Sequence, residues 1–269
     1  MSGVRPPAVA GRFYPGDADS LRRLVDEFLA AVSVPPGEGP ALAYVVPHAG
    51  YRYSGRTAAH VYARLRGHPI ERVVLIGPAH YSRVRHCAVP LAGAWRTPLG
   101  DVPIDAGTAR LLVSGGHASA DDEPFGSEHS LEVQLPFLQR CLPPEVPVLP
   151  VVVGPATVVE VVAALAAVAG PAAVVLCSTD LSHYQSEVVA HQQDARTARA
   201  VLDLAPERVG ARDACGVFAL RGLLGWARRA GLHARLLDMS TSADTTGDAS
   251  RVVGYGAFAF AEAGKSRQR

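Results

Sequence analysis

The chain has 269 residues, with 26 Lys+Arg against 25 Asp+Glu and a formal net charge of +1. So even a balance gives no support to a polyanion-binding surface, and no nucleic-acid partner is expected. With 48% hydrophobic residues the bulk of the chain is too apolar for disorder, and its length suffices for one sizeable core.

Cys87, Cys141, Cys177 and Cys215 are the 4 cysteines, and none forms a CxxC pair. That argues against a zinc knuckle, a thioredoxin-like motif or a disulfide scaffold, and fits a reducing, cytoplasmic setting. The start, Met1 to Pro7, has no apolar run of the signal-peptide kind. The most apolar stretch, Val158 to Leu176, is interrupted by Glu160 and Gly170-Pro171, so no membrane span is expected.

In chain order, Asp19 to Val32 has helical spacing, capped by Asp17 or Asp19 and ended by Pro35-Pro36-Gly37. Leu42 to Val46 reads as a strand, Thr57 to Leu65 as a helix, and Arg72 to Ile76 as a second buried strand. Cys87 to Leu91 reads as a third, Gly93 to Asp101 as a loop rich in turn formers, and Asp105 to Ser114 as a helix. From Gly126 to about Cys141 a helix is predicted, with Ser127 as cap and Pro136 as a bend or break. Val146 to Val153 is strand, Thr157 to Val168 helix and Ala172 to Cys177 strand. Helices follow at Val188 to Leu204 and Cys215 to Arg229, then strands at His233 to Met239 and Val252 to Phe260. Asp238 to Ser250 is turnlike, either a loop near the site or a surface connection, and Gly264 to Arg269 is a polar tail. Strands and helices interleave throughout, and the Val/Ile/Leu strands lack alternation. Residues 1–263 therefore read as one layered α/β domain, with a mostly buried central sheet flanked by helices.

The informative feature is a recurrence at strand ends. One strand runs into His48, the next into His80, and the strand ending at Cys177 runs into Asp180 and His183. In open α/β sheets, polar groups beyond the carboxyl ends of strands line the binding crevice. Two imidazoles with an oxygen or sulfur ligand suit Fe(II), Zn(II) or Cu. Asp180 is suited either as a ligand or as the carboxylate that orients an imidazole. The competing reading is that each His is an ordinary capping or surface residue. Cys215 heads a helix of strong apolar periodicity, where the dipole favours a thiolate that could ligate or attack. Alternatively it packs as a small hydrophobe. His129 lies in Gly126 to Glu132, where Glu128 and Glu132 share a helix face; it reaches a cleft, or the segment caps and solvates that helix. Tyr51, Tyr53, Tyr81, Tyr184 and Trp95 lie near these residues in sequence, as walls for a planar ligand or as core. Phosphate loops, GxSxG and HExxH are absent, and a triad through Ser182 has no support.

Ala8 to Pro15, Pro47-His48-Ala49-Gly50-Tyr51 with Tyr53-Ser54-Gly55, Gly77-Pro78-Ala79-His80 and Glu128 to Glu132 occur in that order. Ser178 to Tyr184, Asp213-Ala214-Cys215-Gly216 and Val253 to Ala257 follow. Over nearly its full length the chain resembles the Memo family, whose bacterial and archaeal members are labelled AmmeMemoRadiSam system protein B. The resemblance implies a fold like that of the class III extradiol non-haem iron dioxygenases. It also implies a metal ion, Fe(II) or Cu with Zn as an alternative, held by His48, His80 and Cys215. Asp180, His183 and His129 share the pocket, with His183 moved toward a substrate-facing role. Animal members are described as phosphotyrosine-peptide-binding signalling proteins and as iron- or copper-binding redox proteins. The receptor role is not expected to transfer to this bacterial-looking chain. The family label points to AMMECR-type and radical SAM proteins as associates. A homodimer is allowed for, but no surface can be assigned to it.

Three functions follow. The first is a metal-dependent redox protein or dioxygenase-like enzyme, with Asp180 and His183 handling protons. The second is a non-catalytic module that binds a peptide, a small molecule or the ion itself. The third is a metal-dependent hydrolase.

Overall fold

A computed structural model describes residues 3–170 and 172–262; the polar tail from Gly264 lies outside them. The first elements are β1 (Val4–Arg5), α1 (Ala18–Ala30), β2 (Ala43–Val46), α2 (Tyr51–Tyr62) and β3 (Arg72–Pro78). Next come β4 (Cys87–Val89), β5 (Ala94–Thr97), β6 (Gly100–Pro103), α3 (Ala106–Ser114) and β7 (Ser119–Ala120). The middle holds α4 (Leu135–Cys141), β8 (Val148–Val153), α5 (Val158–Val168), β9 (Ala173–Ser178) and β10 (His183–Gln185). The chain closes with α6 (Glu187–Leu202), α7 (Val217–Arg229), β11 (Leu232–Thr241), α8 (Ala243–Thr246) and β12 (Val252–Glu262).

Local chemistry sets the helix starts. Asp17 accepts from the Ser20 N–H at 2.8 Å and opens α1, whose Leu21, Val25 and Leu29 form the buried stripe. Thr157 and Glu160 form a reciprocal capping box at α5.

The main sheet runs β10-β12-β2-β9-β3-β8-β4-β7, with β11 also paired to β12. Strands β2, β9, β3 and β8 are parallel; Ala43 and Val74 both stand level with Val175. Every residue of β2, β8 and β9 is buried, as expected for strands covered on both faces. Alternate residues feed two cores. Tyr44, Val46, Leu75 and Leu176 face α1, α2 and α4. Ala43, Val45, Ile76 and Cys177 face α5, α6 and α7. The result is a layered helix–sheet–helix arrangement, with a small second sheet of β1, β5 and β6 beside it. No helix among the described residues is long and apolar enough to cross a membrane.

Several expectations are corrected. The loop predicted over Gly93 to Asp101 is the hairpin of β5 and β6, its two short strands hidden in the sequence by turn formers. The helix predicted from Gly126 does not form there: one 3₁₀ turn spans Glu132–Gln134, and α4 starts at Leu135 with Pro136 in its first turn. Proline is tolerated there because that N–H has no helical partner. The α2 helix begins at Tyr51 rather than Thr57, and its Tyr51 N–H donates to Phe13 O at 2.7 Å. Cys215 precedes α7 and its cap Gly216 instead of lying in the first turn. Of the turnlike Asp238 to Ser250, the first four residues complete β11.

Candidate metal centre

Parallel neighbours β2, β9 and β3 bring His48, Asp180 and His80 to one edge of the sheet, as the recurrence at the strand ends required. A cavity of about 1200 Å³ opens there, and its lining includes all six candidates: His48, His80, His129, Asp180, His183 and Cys215.

His48 is buried, and its tautomer follows from its partners. The single proton of Ser178 Oγ goes to the Ser130 carbonyl, 2.6 Å away, because that oxygen can only accept. Gln134 Nε2 donates to the same hydroxyl at 2.8 Å. Ser178 Oγ therefore accepts from His48 Nδ1 at 3.0 Å, and the lone pair of the ring sits on Nε2. The backbone N–H of His48 donates to Asp180 Oδ1 at 2.7 Å.

His80 is held by Glu128. Its backbone N–H reaches Oε2 at 2.5 Å and its Nδ1 reaches Oε1 at 2.9 Å. Oε1 also accepts from the His129 and Ser130 N–H groups at 2.9 and 2.8 Å. Burial would raise the Glu128 carboxyl, but its hydrogen bonds with His80 and Ser130 and the adjacent His80 charge outweigh this and hold it at about 2. Such a fixed carboxylate orients an imidazole with Nε2 turned to a cation.

The ring of His129 stacks on His80 with centroids 4.7 Å apart, and Phe13 covers it at 4.6 Å. Its Nδ1 is buried and makes no hydrogen bond, although Glu128 Oε1 lies 3.5 Å away. Burial lowers His129 to about 4 and pushes His48 well below the ordinary imidazole range, the neighbouring His80 adding to both. Both rings are thus neutral at neutral pH, the form that binds a metal. Ligand atoms of His48, His80 and His129 all lie within 4.8 Å of one another. Three converging imidazoles, one with an orphaned buried nitrogen, fit a transition-metal ion.

Cys215 Sγ lies 3.2 Å from His48 Nε2 and accepts from the Asp180 N–H at 3.3 Å. The expected lowering of its pKa by a helix dipole is corrected: burial first, and the Asp180 charge next, push the thiol up to about 12. The Asp180 carboxyl is raised to about 6 by burial. Its Oδ1 binds the His48 backbone rather than a ring nitrogen, so Glu128, not Asp180, is the carboxylate that orients an imidazole. His183 Nδ1 donates to Leu181 O at 2.8 Å. The turn that carries it is pinned by Asp194, which accepts from Ser182 N and Oγ at 3.0 and 2.9 Å. Ser182 is thereby occupied and buried, not a nucleophile.

Of the aromatic candidates, Tyr53, Tyr81 and Tyr184 line the cavity. Tyr51 is core, its OH on Val133 O at 2.6 Å, and Trp95 is buried under the Arg5 guanidinium. Nor do Glu128 and Glu132 share a solvated helix face; both are buried and neither lies on α4. Glu132 anchors the N-terminal segment through Arg5, the Ala8 and Val9 N–H groups and Tyr14 OH. Ser242, Thr246 at the end of α8, and Asp248 reach the cavity, so the turnlike segment does adjoin the site.

The profile of Memo-like proteins matches residues 5–259. The chain is 38% identical to a MEMO1 family protein of Methanopyrus kandleri, over 95% of this chain and 98% of that protein. It is 36% identical to a MEMO1 family protein of Aeropyrum pernix, over 94% of this chain and 98% of that protein. A MEMO1 family protein of Aquifex aeolicus is 37% identical, over 94% of this chain and 97% of its own length.

Proposed function

The chain belongs to the Memo-like protein family, and from that premise we propose that it is a metal-dependent redox protein acting on a small ligand in the cavity. The observation that carries this reading is the convergence of His48, His80 and His129 within 4.8 Å. His48 and His80 would hold Fe(II) or Cu together with His129, and Cys215 beside His48 is the soft donor that the family resemblance adds. We also read the cluster at the ends of β2, β9 and β3 as a relative of the class III extradiol dioxygenase arrangement. When bound, such an ion supplies electron transfer and Lewis acidity.

The residues of the chain itself do the rest. Ser178 and Glu128 fix the two imidazoles so that no proton occupies His48 Nε2 and the ring of His80 keeps its orientation. Asp180 and His183, both on the lining, are placed to hold or pass a proton to a bound ligand. Phe13 and Tyr81 flank His129, with ring centroids 4.6 and 5.8 Å away.

The test is the metal content of protein purified without oxygen and without a metal-affinity column, with Cys215→Ser and His129→Ala alongside. One equivalent of iron or copper with oxygen uptake supports the reading. No metal bound, and none taken up from added Fe(II), Cu or Zn, overturns it. Turnover with Zn and no oxygen would instead mark a hydrolase, and ligand affinity indifferent to metal a binding module. Proton release identifies the third donor. A thiol raised to about 12 must lose its proton on ligation, so Cys215 ligation releases one proton at neutral pH. A neutral His129 releases none.

A further inference from the structure

Resting on the cavity reading above, we propose that the ligand is an anionic small molecule whose acidic group is bound by Arg212 and Arg251 at the cavity wall. Both arginines line the cavity and both are exposed. Among the described residues neither guanidinium has an ion-pair partner within 4.0 Å. The two carboxylates on the same lining are committed elsewhere. Asp180 takes the His48 N–H, and Asp248 takes Ser250 N and Oγ at 2.9 and 2.6 Å.

Unpaired surface arginines are common; here the backbone of Arg212 and the guanidinium of Arg251 are held in place. The carbonyl of Arg212 accepts from buried Gln193 Nε2 at 2.8 Å. Gln193 also donates to Asp213 at 3.0 Å and accepts from Gln185 at 2.8 Å, so the loop of Arg212 is tied to α6 and β10. The guanidinium of Arg251 lies 4.8 Å above the ring of Tyr184. Tyr184 has φ of 59° and is 64% exposed, at the irregularity where β10 meets β12. A bulky side chain in the left-handed region is strained, and such strain collects at functional sites. Here it turns the phenol out beside His183, where it backs the face of Arg251. A guanidinium stacked on a ring keeps its N–H edge for a carboxylate or phosphate.

Both anions present the same oxygen chemistry, so the test carries both. Calorimetric titrations use benzoate, inorganic phosphate and uncharged benzamide, on wild type and on Arg212→Gln, Arg251→Gln and Tyr184→Phe, each with and without metal. Benzoate or phosphate should bind, with benzamide about tenfold weaker or more, and each arginine substitution should cost about tenfold. Added salt should weaken the binding. The tighter of the two anions names the acid group. Tyr184→Phe keeps the stack and should leave affinity near wild type. Benzamide binding as well as benzoate, arginine variants binding like wild type, or no anion bound in either form overturns the proposal. Metal content measured on the same samples separates the two readings. Anion binding in a protein that takes up no metal leaves this inference standing and removes the metal reading. Metal uptake without anion binding removes only the inference.

Discussion

Replacing Glu132 with Gln tests whether one buried carboxylate fastens the N-terminal segment to the wall of the site. Glu132 is 0% exposed and accepts four hydrogen bonds. Its Oε2 takes Arg5 Nη1 at 2.7 Å and Ala8 N at 2.8 Å; its Oε1 takes Val9 N at 3.0 Å and Tyr14 OH at 2.7 Å. An amide has one acceptor oxygen. If its NH₂ faces Tyr14, the hydroxyl can turn to accept, but the Val9 N–H is left without a partner. Arg5, itself buried, keeps its bonds to Phe125 O and Glu128 O yet loses its counter-charge. A buried charge stripped of its partner costs about 3–5 kcal/mol, and the orphaned N–H adds about 1 kcal/mol or more. Urea unfolding of Glu132→Gln should therefore show a loss of about 4–6 kcal/mol. The double variant Arg5→Met with Glu132→Leu, which removes both charges, should recover part of it. A loss below about 1 kcal/mol, or a double variant weaker than the single, would refute the reasoning.

Glu128→Gln removes the carboxylate that orients His80, and metal affinity should fall about 10- to 100-fold in a Co(II) titration; an unchanged affinity would mean that Glu128 serves the loop alone. In the metal-free protein, His129 titrates at about 4, against about 6.5 when unfolded. The unfolded chain therefore takes the proton first, and about 3 kcal/mol of stability, fully present above about pH 6.5, is lost as the pH falls to about 4. Asp180, raised to about 6, acts with the opposite sign in an overlapping window, so the measurement is the difference in urea midpoint between wild type and His129→Gln across that range. Parallel curves would contradict it. Gly222 on α7 meets Val161 of α5 so closely that an added Cβ would overlap its side chain. Gly222→Ala should thus cost about 1–3 kcal/mol of packing, against about 1 kcal/mol gained in helix propensity, and a raised melting temperature would show that the helices can part.

The strand ends were legible because a buried apolar run that stops at His48, His80 or Asp180 carries its own punctuation. Burial on both faces removes the alternation, and parallel pairing then sends those ends to one edge. The residues that orient the donors carried no such mark. Ser178 meets Ser130 and Gln134 across 48 and 44 positions, and Glu128 meets His80 across 48. In sequence each looks like an ordinary polar residue in a turn or on a helix. Around Glu128 and Glu132 the spacing of Leu131, Leu135 and Leu138 imitates one continuous helix; all three are buried, but only the part from Leu135 is α-helical. At Cys215 the helix end is outweighed: the cap N–H of Gly216 favours the thiolate, but burial first and the Asp180 charge next push the thiol up to about 12.

The order of β2, β9 and β3 across the sheet has a consequence for the growing chain. The strand that separates the His48 strand from the His80 strand begins only at Ala173. While the chain is being made, the first two imidazoles are therefore synthesised long before the strand that spaces them. Until β9 inserts, β2 and β3 keep open edges that invite wrong pairing, and Ser178 is not there to fix the ring of His48. An ion held at this centre would thus be captured late, after folding is complete, and a truncated or stalled chain would lack the finished cluster of His48, His80 and His129.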